Sequence, residues 1–139
     1  MASALTLRAE HRPVLAELLA RRPASLVVAL CAAWCDTCRG FRPVFERLAA
    51  ARSDSLFLWL DIDDDSAVAG DIEIDGFPSL AVFKSGLPVF FGVAEPQERH
   101  LVRVLAAMAQ GLPRPVFVPE AVAMLPRTLV RATAAPDGG

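Results

Sequence analysis

The sequence is poor in cysteine, in lysine and in long apolar runs, and each shortage removes a class of protein. Three cysteines in 139 residues do not make a disulfide framework, so the fold must be held by a hydrophobic core. No window of 18 or more apolar residues occurs, although mean hydropathy is positive at +0.41, which argues against a membrane-spanning helix. Met1 to Arg12 lacks a basic segment leading into an apolar one with a cleavage site, so the expectation is a cytoplasmic protein without a membrane partner. A formal net charge of −2 offers nothing to a nucleic acid. Thirteen of the fourteen basic residues are arginine, yet Arg21 and Arg22 are the only adjacent pair. A scattered pattern of this kind describes a solvated surface. There are no internal repeats.

What is present fits one globular domain with an appendage: 54% apolar and 22% charged residues. Ala4 to Leu7 reads as a short strand, and Glu10 to Arg21 as a helix with Val14, Leu15, Leu18 and Leu19 at helical spacing. Leu26 to Cys31 is a continuous apolar run of strand length, as a central strand covered on both faces requires. A helix is expected from about Cys35 to Arg52, with Phe41, Val44, Phe45, Leu48 and Ala49 on its apolar face and Pro43 kinking it. Leu56 to Ile62 is the next strand, followed by a short helix in Ser66 to Asp71. Ser79 to Phe83 and Val89 to Phe91, joined by Lys84-Ser85-Gly86, form an antiparallel hairpin. A last helix starts near Pro96, carries Leu101, Val104, Leu105 and Met108, and stops at Gly111. From residue 112 to 139 the prolines multiply, and an extended, partly disordered tail with one turn of helix near Glu120 to Leu125 is expected. The fold class is α/β, a central mixed sheet with helices on both faces, with residues 1–111 as the domain.

The strongest chemical signal is Trp34-Cys35-Asp36-Thr37-Cys38-Arg39, placed where a buried strand turns into a helix. Unpaired backbone N–H groups and the positive end of the helix dipole favour a thiolate there. Cysteines at i and i+3 on a helix start bring two sulfurs into a small ring, so Cys35 can attack a disulfide and Cys38 can resolve the product. Half of a zinc site is the competing reading, but only Cys31, His11 and His100 could complete it, at no recognised spacing. Cys31 reads as a small core residue, ill placed inside a strand to bond Cys35, and His11 and His100 as surface residues. Seven of the sixteen acids lie between Asp61 and Asp75. As a calcium loop the run fails, because Ser66 stands where glycine is needed and Ile72 where the closing glutamate is needed. A solvated rim is the simpler reading.

With these residues in view, the chain resembles the thioredoxin family over roughly residues 4 to 110. The Trp34 to Arg39 segment is similar to the family's Trp-Cys-x-x-Cys-Lys/Arg motif, with Phe41 and Pro43 matching the positions that follow. Leu60-Asp61-Ile62-Asp63 resembles its third strand. Ile74 to Leu80 resembles the segment with a cis proline, Phe83 to Gly86 its hairpin, and Gly92 the glycine that borders the substrate groove. The resemblance implies a thiol–disulfide oxidoreductase that reduces protein disulfides. Cys35 would be the nucleophile and Cys38 the resolving thiol, with Trp34, Phe77, Pro78 and Gly92 along the groove. It implies no cofactor beyond a redox-active Cys35–Cys38 disulfide, no metal, a monomer, and electrons from a donor such as an NADPH-dependent thioredoxin reductase.

Two departures stand out. The family's buried aspartate and facing lysine are Ala29 and Trp59 here, which removes the usual proton acceptor for Cys38. Asp36, with Thr37 between the cysteines, is a possible modulator, but a carboxylate there repels a thiolate at Cys35. The expectation is a slower or more narrowly used reductase. The alternative is a binding or assembly module on the same fold with little redox turnover.

Overall fold

The structure is a computed structural model that describes residues 4–109 and 114–134. Four strands are named in chain order: β1 (Ser25–Cys31), β2 (Ser55–Asp61), β3 (Ser79–Lys84) and β4 (Leu87–Val93). The helices are α1 (Arg12–Ala20), α2 (Asp36–Ala51), α3 (Ser66–Ala69), α4 (Glu98–Ala109), α5 (Glu120–Ala123) and α6 (Leu125–Ala134). The sheet order is β2-β1-β3-β4, with β1 parallel to β2 and the β1–β3 and β3–β4 pairs antiparallel. The expected first strand contracts to one parallel bridge between Leu5 and Leu58.

The continuous apolar run of β1 is explained by what covers it. Val28 and Leu30 face a core formed with Leu15 and Leu19 of α1 and with Val122, Leu125 and Leu129. Val27 and Ala29 face the opposite core, filled by Phe41, Phe45 and Leu48 of α2 and Leu101 and Leu105 of α4. Because successive side chains of a strand point to opposite faces, one strand needs apolar residues throughout to sit between two helical layers. The apolar face expected of α2 is buried, and the helix continues through Pro43. Helix α4 ends against β3, where Lys84 Nζ donates to the Met108 carbonyl at 2.6 Å, a cation placed at the negative end of a helix.

Several sequence expectations need correction. Val14 is not in the core: α1 turns Leu15 and Leu19 inward and leaves Val14 42% exposed. His11 is not a loose surface residue, since its Nδ1 accepts from the Thr6 backbone N–H at 2.9 Å at the start of α1. His100 is half-buried, and its Nε2 has no hydrogen-bond partner among the described residues. The largest difference is in the proline-rich region. The expected turn of helix near Glu120 is α5, but in place of an extended tail α6 follows it and packs on α1 and α3. Pro126 falls in the first turn of α6, where its missing donor costs nothing, while Val122, Leu125 and Leu129 supply a stripe that is fully buried. Residues 114–118 reach α5 alongside β4, with the Val116 N–H donating to the Pro88 carbonyl at 2.8 Å. The expected stop at Gly111, the boundary at 111/112, Pro113 and the closing Pro136 to Gly139 lie outside the described residues.

Candidate functional site

The end of β1 and the start of α2 form a corner. Cys31 is the last residue of β1, Cys35 is the N-cap of α2 with extended backbone angles (φ −93°, ψ 117°), and Cys38 lies in the first turn. The Cys35 N–H donates to the Ala32 carbonyl at 3.0 Å, which tightens the turn. Cys31 and Cys38 are each 1% exposed, whereas Cys35 is half-exposed.

The sulfur pairing differs from expectation. The disulfide joins Cys31 to Cys38, with Cα atoms 5.9 Å apart, and Cys35 is a free thiol. The structure thus holds Cys31–Cys38 in place of the expected Cys35–Cys38 disulfide, and Cys31 is more than a core filler. The physical reason is position: the last residue of the strand lies against the inner side of the helix's first turn, within the separation a disulfide spans. A lone thiol in an apolar run is usually packing, which is why the sequence alone puts Cys31 in the core. The usable signal was its place at the strand end, one element away from Cys38.

Asp61 organises the loops at this corner. Its Oδ2 accepts from the Ala33 N–H at 2.9 Å, and its Oδ1 from the N–H groups of Asp63 at 2.8 Å and Asp64 at 2.9 Å. The carboxylate at the end of β2 thus ties the loop before the cysteines to the loop after β2. Part of the acidic run is a clasp and not a solvated rim. Trp34, 64% exposed, donates from Nε1 to Asp63 Oδ2 at 3.0 Å and meets the Phe77 ring edge-on at 5.3 Å. That contact sets the Trp34 loop beside the Phe77–Pro78 loop. The Phe77–Pro78 peptide is cis, as the resemblance implied. Pro78 is buried, and its carbonyl accepts from the Ala94 N–H at 2.8 Å. Gly92 pairs with Leu80 across the hairpin, and a Cβ there would enter open space. Asp36 and Thr37 are exposed, and the Asp36 carboxylate is paired with the Arg39 guanidinium. Arg39 also donates to the Ala33 carbonyl at 2.6 Å.

Beneath the corner, Ala29 and Trp59 sit opposite each other on β1 and β2, with the Arg42 guanidinium 4.7 Å from the Trp59 ring centroid. A cation stacked on an aromatic face thus lies beside the place expected to hold an ion pair. A cleft of about 500 Å³ opens alongside, bounded by Cys38, Trp59, Arg42, Asp61, Asp64 and Asp65 among others. Asp65 has its pKa raised, chiefly by burial and further by the Asp61 and Asp64 carboxylates, against the lowering effects of the Asp61 N–H and Arg12. No cluster of histidine, cysteine or acidic residues among the described ones could hold a metal ion.

A cysteine trio at a strand-to-helix corner, on a four-stranded mixed sheet between helices, defines a class: proteins of thiol–disulfide exchange. The family model described as Thioredoxin matches residues 9–107. Thioredoxin-2 of Saccharomyces cerevisiae is 38% identical over 64 residues, covering 46% of this chain and 62% of that protein, so the match spans less than two thirds of the yeast protein. The thioredoxin of Staphylococcus aureus is 38% identical over 77 residues, covering 53% of this chain and 72% of that protein. Among solved structures, a poplar thioredoxin h superposes with a TM-score of 0.64 at 20% identity, covering 79% of this chain and 99% of that one. The chain belongs to the thioredoxin family, and it is a thiol–disulfide oxidoreductase. No helix among the described residues is long and apolar enough to cross a membrane.

Proposed function

We propose that the chain reduces disulfides in proteins through Cys35 and Cys38, with Cys35 as nucleophile and Cys38 as resolving thiol. The observation that carries this reading is Cys35 itself: an unbonded, half-exposed thiol at the N-cap of a sixteen-residue helix, with Cys38 buried one turn away. Starting from the fully reduced protein, the Cys35 thiolate attacks one sulfur of the substrate disulfide and expels the other as a thiolate. Cys38 then loses its proton and attacks the Cys35 sulfur, forming Cys35–Cys38 and releasing the second substrate thiol. Only the outer thiol must meet the partner. The proton of Cys38 passes to the departing thiolate or into the cleft lined by Asp61 and Asp65, since Ala29 and Trp59 offer no acceptor.

Trp34, Phe77, Pro78 and Gly92 border the docking groove in this reading. Exposure of Trp34, its contact with Phe77 and the open space over Gly92 support an extended substrate segment lying there. Asp36 and Thr37 modulate the site from the exposed turn, with the charge of Asp36 offset by Arg39. The dithiol serves as its own cofactor. The electron donor is a disulfide reductase of the NADPH-dependent kind, the protein acts as a monomer, and it works in the cytoplasm, where thiols stay reduced.

Trapping tests the assignment. Cys38→Ser, incubated with cell extract, should accumulate mixed disulfides through Cys35, and Cys35→Ser should accumulate none. Many captured proteins identify a general reductase and one captured protein a dedicated partner. No capture at all by Cys38→Ser overturns the reading in favour of a binding module.

A further inference from the structure

We propose that Cys31 is a third redox-active thiol, which takes Cys38 from Cys35 and stores the oxidised protein as a buried Cys31–Cys38 disulfide. The inference rests on the roles given above to Cys35 and Cys38 and adds a step after them. Three observations carry it. Cys31 and Cys38 are bonded to each other, with a Cα separation of 5.9 Å that lies in the ordinary disulfide range. Both are 1% exposed. Cys35, which shares its other possible partner Cys38 with Cys31, is free and half-exposed.

The step is an isomerisation that needs no external oxidant or reductant. Once substrate has been reduced, the protein holds Cys35–Cys38 and a Cys31 thiol. Cys31 gives up its proton and attacks the Cys38 sulfur. The Cys31–Cys38 bond forms, the Cys35–Cys38 bond breaks, and Cys35 leaves as a thiolate that takes the proton. Both oxidising equivalents stay on Cys38 and its neighbour. Cys35 can leave toward solvent, being half-exposed at the start of α2, whereas Cys31 is 1% exposed at the end of β1 and stays enclosed once bonded to Cys38. In the stored form an incoming reductase meets a thiol where it needs a disulfide. Reduction must first run the exchange backwards, with Cys35 returning to Cys38.

The test maps the free thiol. Full-length protein is reduced, oxidised with stoichiometric diamide and quenched in acid. It is then unfolded and blocked with N-ethylmaleimide, reduced, alkylated with iodoacetamide and sequenced by mass spectrometry. Maleimide on Cys35 is expected, and maleimide on Cys31 overturns the proposal. Cys35→Ser gives an independent reading: diamide should remove both of its remaining thiols, whereas their survival sinks the buried pairing. If Cys35→Ser still reduces protein disulfides, it is the assignment of Cys35 that fails, whatever the label shows.

Discussion

At the scale of single residues, carboxylates govern the shape of the corner. Asp61 receives N–H groups from Ala33, Asp63 and Asp64, and its own N–H donates to Asp65 Oδ2 at 2.8 Å. Asp61→Ala strips three donors of a charged acceptor, for a loss of about 1.5–3 kcal/mol. Chemical denaturation should show it, together with altered Trp34 fluorescence as the Asp63 contact loosens. A loss under about 0.5 kcal/mol, ordinary for a surface change, would mean the clasp contributes nothing. Asp65 runs the other way. Its raised pKa means that the folded chain binds a proton the unfolded chain has released, between the ordinary carboxylate value and the raised one. Stability therefore falls as pH climbs through that window. Asp65→Asn keeps an oxygen for the Asp61 N–H but removes the charge that burial and the Asp61 and Asp64 carboxylates disfavour. The variant should be more stable than the parent at pH 7, with the advantage shrinking as pH drops through the window. An advantage that grows on acidification would contradict this account.

Among the elements, α6 offers the sharpest contrast between inside and outside. Leu129 is 0% exposed and packs with α1, while its neighbour Val130 is 47% exposed. Leu129→Ala should cost about 2–5 kcal/mol, and Val130→Ala less than about 0.5 kcal/mol, by urea denaturation of both variants. Equal costs would show that α6 does not pack as described. The corner belongs to this scale too, because no single element makes it. A strand end brings Cys31, a helix start brings Cys35 and Cys38, and the loop before β3 brings Phe77 and Pro78. Spacing within one helix was enough to nominate Cys35 and Cys38 from the chain alone. Cys31 belongs to a different element, so its distance to Cys38 had no local signature.

For the molecule as a whole, residues 114–134 decide whether the core is closed. Burial of Val122, Leu125 and Leu129 at roughly 1.5–3 kcal/mol each is comparable with the entire stability of a domain, roughly 5–15 kcal/mol. A chain ending at residue 111 should therefore unfold at far lower urea concentration than the full chain, or fail to fold. An unchanged midpoint would restore residues 1–111 as a self-sufficient domain. The alternation of strand and helix, the two-faced burial of β1, the hairpin and the cysteine pair were all legible in the amino-acid order, because periodicity and spacing are local properties. Proline content misled at α6, since Pro126 is tolerated at a helix start and the apolar stripe of Val122, Leu125 and Leu129 outweighs its neighbours' character. By itself, then, the sequence determined the fold class and nominated Cys35 and Cys38 for the thiol chemistry. Which sulfur Cys38 bonds, what Asp61 holds and what covers α1 depend on distances between elements far apart in the chain, and only tertiary packing sets those.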